Sequence, residues 1–314
     1  MEKTPLLEVK NLRIAFDQYS GRFSKNNLGM IRDLSVMVRE GELVAVVGPS
    51  GSGKSLLAHG ILGILPDNAE IEGEIRFRGT TMTQRCKESL RGNEIALVPQ
   101  NLSYLDPLLR MGPQLRKGKR DAKSRQKTRE ILAHYSLNEQ MERMYPFELS
   151  GGMTRRILIS TALIDSPSLV IADEPTPGLD EKLARRVMSH FRAIADDGAG
   201  ILLITHDLEL ALEVADRISV IYAGTSIEDA AATDFLHEET LRHPYTRALW
   251  RAMPRNGFRV ENTAQPCVAK IPAGCPFQQH CAAASGACRR EIPYRRAGEG
   301  FVRCIHTEEA VAAT

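Results

Sequence analysis

The feature that most limits what this chain can fold into is a glycine loop, Gly48-Pro49-Ser50-Gly51-Ser52-Gly53-Lys54-Ser55, set directly behind the apolar run Leu43-Val44-Ala45-Val46-Val47. It satisfies the pattern G-x-x-x-x-G-K-[ST], and a helix over 55–65 is predicted to follow. Each residue type has a chemical reason to be there. Glycines let the backbone turn tightly enough for its amide hydrogens to face phosphate oxygens, and a helix start adds the positive end of its dipole. Lys54 would neutralise the β- and γ-phosphates, and the Ser55 hydroxyl would hold Mg²⁺. A plain glycine-rich turn is the alternative, and a strand before it with a helix after it counts against that.

Three more runs, Leu169-Val170-Ile171-Ala172, Ile201-Leu202-Leu203-Ile204 and Ile218-Ser219-Val220-Ile221, are short, β-branched and nearly all apolar. Strands buried on both faces of a parallel sheet look like this. After Asp180, Leu183, Val187, Phe191 and Ile194 recur at helical spacing, and Gly198 is the expected stop. The alternation predicts an α/β core. Residues 71–77 alternate apolar and polar, which suits a half-exposed antiparallel strand. A helical insertion is expected over about 104–165, where the basic stretch 116–129 reads as a solvated helix face.

Two strand ends carry polar groups suited to the phosphate loop. Asp173 closes one and could reach a Mg²⁺ shell, and Glu174 beside it could polarise an attacking water. His206 ends another and could hydrogen-bond a γ-phosphate. Each alone reads as an ordinary strand-end turn; together with the loop they do not. Leu149-Ser150-Gly151-Gly152-Met153 before an apolar helix is a further anion-binding turn, or simply a helix cap.

In this order, the phosphate loop, Gln100 after an apolar strand, LSGGM, the Asp-Glu strand and the His strand, the chain from about residue 6 to 254 resembles the ABC ATPase family. The resemblance implies a P-loop ATPase with a RecA-like parallel core, an antiparallel β subdomain and a helical subdomain. It implies ATP and Mg²⁺ as ligands, with Ser55, Gln100 and Asp173 on the metal, and Glu174, His206 and Gln100 serving hydrolysis. It also implies head-to-tail pairing of two ATPase domains, so that Leu149, Ser150, Gly151, Gly152 and Asp180 act on the partner's nucleotide. An aromatic near the N-terminus normally stacks on adenine in this family, which points to Phe16, with Tyr19 second.

Within the family, Tyr145-Pro146-Phe147-Glu148, Tyr222-Ala223-Gly224 and His243-Pro244-Tyr245-Thr246 are similar to the peptide/nickel importer branch. Thr154-Arg155-Arg156 and Gly178 depart from its usual Arg-Gln-Arg and Ala, without removing a catalytic group. The ATPase domain is expected over 1–253 and a cysteine-rich C-terminal extension over 254–314. Of the six cysteines, Cys275, Cys281, Cys288 and Cys304 follow C-x5-C-x6-C-x15-C. That spacing leaves a zinc ion, an iron–sulfur cluster, incidental thiols or disulfides open; the resemblance implies a [4Fe–4S] cluster. Cys86 and Cys267 read as bystanders.

Partners follow from the same resemblance: a paralogous ATPase subunit, two transmembrane permease subunits and an extracytoplasmic solute-binding protein. A net charge of +2 argues against nucleic acid as the main partner. No apolar run approaches the roughly 18–20 residues of a membrane helix, and the N-terminal residues lack the features of a secretory leader. The chain is therefore expected to be soluble by itself and peripheral on the cytoplasmic face of the membrane. Two alternatives stand beside the transporter motor: a nucleotide-binding scaffold whose partner does most of the hydrolysis, and a soluble ATPase acting on DNA or ribosomes. The absence of sustained heptads and of a second ATPase domain opposes the latter. Peptide and nickel cargo leave no direct mark, although Ile61-Leu62-Gly63-Ile64-Leu65-Pro66 looks closest to nickel-type members.

Overall fold

Apolar β-branched runs have to be covered on both faces, and in the computed structural model they form the middle of one sheet. The structure describes residues 5–20, 24–259, 261–298, 300–307 and 311–312. In chain order the strands are β1 (Pro5–Ser20), β2 (Ser24–Arg39), β3 (Leu43–Val47), β4 (Ala69–Phe77), β5 (Thr80–Thr81), β6 (Ile95–Val98), β7 (Leu169–Asp173), β8 (Gly200–Thr205), β9 (Arg217–Tyr222) and β10 (Thr225–Ala231). The strands β6, β7, β8, β3 and β9 lie side by side and parallel. Every residue of β3, β7, β8 and β9 is buried. Beyond β9 the sheet turns antiparallel at β10; β2 joins β10 through a parallel pair, Thr225 opposite Asp33, and β2, β1 and β4 form an antiparallel layer. The expected half-exposed strand is β4: Ile75 and Phe77 are buried, while Ile71 stays 43% exposed.

The helix after the glycine loop, α1 (Lys54–Leu62), ends earlier than its apolar pattern suggests. Gly63 adopts φ 66° there and bonds back to the carbonyls of Gly60 and His59, a left-handed cap that a side chain would strain. After α2 (Gln84–Leu90), the insertion between β6 and β7 contains α3 (Met111–Leu115), α4 (Ala122–His134) and α5 (Gly151–Leu163). Only Thr128 and Leu132 of α4 are fully buried, so its basic residues form the solvated face that their spacing predicts. Next, α6 (Glu181–Asp196) starts from Asp180 and buries Val187 and Phe191 against the sheet. The fully buried Tyr135, just past α4, joins its hydroxyl to His190 Nδ1 on α6, and this pins the insertion to the core.

After α7 (Leu208–Leu212) and α8 (Pro244–Ala252) the chain is loop-rich, as its Pro, Gly and Cys content predicts. It does not stand apart from the rest. Of its strands β11 (Arg295–Ala297) and β12 (Gly300–Val302), β12 pairs antiparallel with β10, Val302 opposite Glu228. Phe277 packs edge-on to Tyr222 and Tyr245, within the main apolar core.

A buried ion network ties the two halves of the sheet together. Arg217, at the start of β9, donates to both Asp229 oxygens at 2.9 and 2.7 Å and to Glu42 at 2.8 Å. Burial works against its charge, but Asp229 and Glu42 outweigh burial and hold the guanidinium above its ordinary pKa. Arg217→Met leaves the buried Asp229 without its paired cation and Glu42 with Arg39 alone. The expected loss is about 3–5 kcal/mol, seen as a lower urea midpoint at unchanged slope. A second expectation concerns pH. Burial, with help from the neighbouring His134, lowers His190 to about 4. The folded state therefore favours its neutral form, so its contribution is complete above the ordinary histidine pKa of 6.5 and is lost as pH falls from there toward 4. Stability should decline as pH falls from about 6.5 toward 4, and His190→Gln should flatten that decline in urea titrations.

Candidate functional site

Parallel pairing brings the C-terminal ends of the central strands to one edge. Val47 lies opposite Thr205, Asp173 opposite Ile204 and Val98 opposite Ala172. Ligands of open α/β sheets collect at this edge. The loop 48–55 rests tightly on β9: a methyl group at Gly48 would sit 2.3 Å from the Ile221 carbonyl oxygen. Lys54 is buried and turns back into its own loop, donating to the Gly48 carbonyl at 2.8 Å and the Pro49 carbonyl at 3.0 Å. Burial lowers its pKa, while the carboxylates of Glu174 and Asp173 act in the opposite direction.

Glu174 follows β7 with φ 47°, a left-handed conformation that costs a residue with a side chain about 1–3 kcal/mol. Its N–H bonds the Ile204 carbonyl at 2.9 Å, so the sheet holds the turn. The buried carboxylate meets His206 Nδ1 at 2.8 Å, whereas the His206 side chain itself is open to solvent. Asp173 is buried too. Burial raises its pKa, a hydrogen bond from Ser55 pulls it down, and the neighbouring Glu174 raises it further. Its Oδ1 is buried with no hydrogen-bond partner among the described residues.

An orphaned carboxylate oxygen next to a hydroxyl suits a hard cation, and Mg²⁺ usually takes one or two carboxylates plus phosphate rather than a full protein cage. Asp173 and Ser55, with Gln100, would hold it. Ser50, Lys54, Ser55, Gln100, Glu174 and Met30 line one cavity of about 230 Å³. Larger clefts of about 540 and 690 Å³ lie elsewhere and gather none of these groups.

The serine–glycine turn is not part of that cavity. Ser150 caps α5, accepting the Met153 N–H at 3.4 Å; Gly151 is exposed, and Gly152 abuts Gly178. Leu149 packs partly against the main core. Asp180 caps α6, accepting the Leu183 N–H at 3.0 Å. Phe16 lies on β1, partly buried against the second apolar cluster, and does not border the cavity. The Tyr19 side chain lies outside the described residues.

Sequence patterns gave no sign of Met30 at the cavity wall, because nothing in its neighbourhood resembles a nucleotide motif. Arg155 was visible only as a departure from the family pattern. It is buried and donates to the Pro99 carbonyl at 3.0 Å, which fixes the approach to Gln100. Arg156 bonds the Tyr135 carbonyl at 2.9 Å and the Gly152 carbonyl at 3.2 Å, linking the serine–glycine turn to the end of α4.

The cysteine expectation needs correcting. All six cysteines are free thiols, so the disulfide alternative fails. Burial pushes the Cys275 thiol up to about 11, and Cys304, Cys288 and Cys281 add to the rise. Cys275 Sγ lies 3.7 Å from His243 Nε2 and Cys288 Sγ 3.4 Å from His306 Nε2. Among the described residues no group of three or more His, Cys, Asp or Glu side chains is placed to hold a metal ion. As arranged, the four thiols fit neither a [4Fe–4S] cluster nor zinc.

Comparison with known proteins agrees with the geometry. Residues 31–177 match the family model described as ABC transporter, and residues 227–288 match the oligopeptide/dipeptide transporter C-terminal region. The chain is 35% identical to an oligopeptide transport ATP-binding protein of Mycobacterium bovis over 97% of its own length, but spans only 52% of that relative. It is 33% identical to the oligopeptide transport ATP-binding protein of Salmonella typhimurium, covering 95% of this chain and 92% of the relative. A solved dimeric ATP-binding cassette, in a post-hydrolysis state bound to ADP and Pi, superposes with a TM-score of 0.62 at 26% identity over 72% of this chain and 98% of that one. With its glycine loop, paired carboxylates and histidine at one sheet edge, the chain belongs to the ABC transporter ATP-binding proteins, in the branch carrying the oligopeptide/dipeptide transporter C-terminal region.

Proposed function

We propose that this chain binds and hydrolyses ATP to drive an ABC importer of peptides. One observation carries the reading: Lys54, Ser55, Gln100 and Glu174 share a cavity, and Glu174 is held by His206 at 2.8 Å. In this scheme the glycine loop and Lys54 bind the β- and γ-phosphates. Ser55, Asp173 and Gln100 would hold Mg²⁺, which would supply positive charge to the phosphates. Glu174 accepts a proton from the attacking water as its oxygen bonds the γ-phosphorus, and ADP leaves with the electrons of the broken bond. His206 orients Glu174 through that bond. Ser150, Gly151 and Gly152 lie outside this cavity, which suits action on the nucleotide of a second ATPase subunit.

The ATPase unit would span 1–253, with 254–314 as an extension packed on it. A cleft of about 440 Å³ beside the Gln100 strand is lined by Leu62, Pro99, Tyr104, Leu105 and Leu158. Leu108, further along the same loop as Leu105, is 83% exposed. Such an apolar groove suits a cytoplasmic helix of a permease. Among the described residues no helix is long and apolar enough to cross a membrane. We assign membrane passage to two permease subunits and cargo delivery to an extracytoplasmic solute-binding protein, with this chain on the cytoplasmic face. Both relatives described above are named for oligopeptides, which favours peptide cargo over nickel. The unusual Thr154 and Arg155 do not favour a scaffold role, since both make structural hydrogen bonds and leave Glu174 and His206 paired.

Glu174→Gln should lower kcat in the assembled complex by about 100-fold or more, while ATP affinity of the isolated chain stays within about threefold, since a neutral amide keeps the hydrogen bond but cannot take a proton. An unchanged ATPase rate would rule Glu174 out as the base.

A further inference from the structure

The extension after α8 carries no nucleotide motif, yet it touches the phosphate loop. Gln265 uses both ends of its amide: Nε2 donates to the Ser50 carbonyl at 2.8 Å, and Oε1 accepts from the Ala223 N–H at 2.9 Å. Beside it the Tyr222 hydroxyl donates to the Ala264 carbonyl at 2.7 Å. Ala223 is itself strained, at φ 47° in the left-handed region. Its turn is gripped from the opposite side by β2, where the N–H groups of Arg32 and Asp33 reach the Gly224 carbonyl at 2.8 and 3.2 Å. The extension holds that strand as well. Arg32 donates to the Pro272 carbonyl at 3.0 Å, and the buried Arg303 pairs with Asp33 at 2.7 Å. Met30, two residues before Arg32, borders the same cavity as Ser50.

We infer that Gln265 is a positioning residue for nucleotide binding, its side-chain amide tying the Ser50 end of the phosphate loop to the 222–224 turn. A glycine-rich loop loses much conformational freedom when it closes on phosphate, so a bond that holds it in shape beforehand raises affinity. The role needs a donor and an acceptor on one side chain. Gln265→Ala removes both, and Gln265→Glu keeps only the acceptor while setting a carboxylate against the Ser50 carbonyl. This inference rests on the assignment of residues 48–55 to the triphosphate, and Lys54→Ala tests that assignment separately.

The experiment is equilibrium titration of the full-length chain with Mg·ATP, alongside thermal melts without nucleotide and ATPase kinetics of the assembled complex. Gln265→Ala should weaken ATP binding roughly three- to tenfold and raise KM with kcat nearly unchanged. Gln265→Glu should be weaker still, with part of its extra loss recovered when salt is raised to about 0.5 M. Tm should stay at the wild-type value for both. The inference is overturned if both variants bind ATP like wild type while Lys54→Ala abolishes binding, or if affinity falls only in step with Tm. Wild-type affinity in Lys54→Ala would instead overturn the site assignment beneath it.

Discussion

The site depends on the parallel pairing of β3, β8 and β7. Strands of a parallel ladder end at the same edge, so Val47, Thr205 and Asp173 deliver the glycine loop, the His206 corner and the carboxylate pair to one place. A register slip by one residue would turn every side chain of a strand to its other face. Complete burial of β3, β7 and β8 prevents that, because any slip exchanges one tightly packed apolar face for the other. Apolar packing far from any phosphate thus sets the distance between Glu174 and His206.

Much of this could be read from the chain. The central strands, the half-exposed β4 and the α6 helix follow from hydrophobic period alone, because burial there is decided by local pattern. The phosphate loop and the Asp173-Glu174 corner were legible because tight turns and charge at strand ends leave distinctive residues. What could not be read depends on contacts between distant segments. Helix α1 stops early at Gly63, whose left-handed turn outweighs the apolar run that continues to Leu65. The packing of the extension onto the sheet through β12 was hidden because three-residue strands carry almost no pattern. Met30 lines the cavity through the position of β2, and no spacing in the sequence reports that.

The cysteines illustrate the limit of spacing as evidence. Four thiols at suggestive intervals gather in one region, but two of them turn toward His243 and His306 and three are buried. Burial pushes the Cys275 and Cys304 thiols up, which favours their protonated form. Phe277 from the same stretch packs edge-on to Tyr222 and Tyr245, so this part of the chain contributes to the core through its aromatic residue as well.

The internal hydrogen bonds of Lys54 have a consequence for ligand choice. Nζ uses two of its three donors on the carbonyl oxygens of Gly48 and Pro49, so one N–H is left for an arriving anion unless those bonds exchange. A ligand rich in acceptor oxygens can take that donor and replace the two carbonyls, whereas a single acceptor can take only the third N–H. The internal contacts of the lysine thus favour anions with several oxygens.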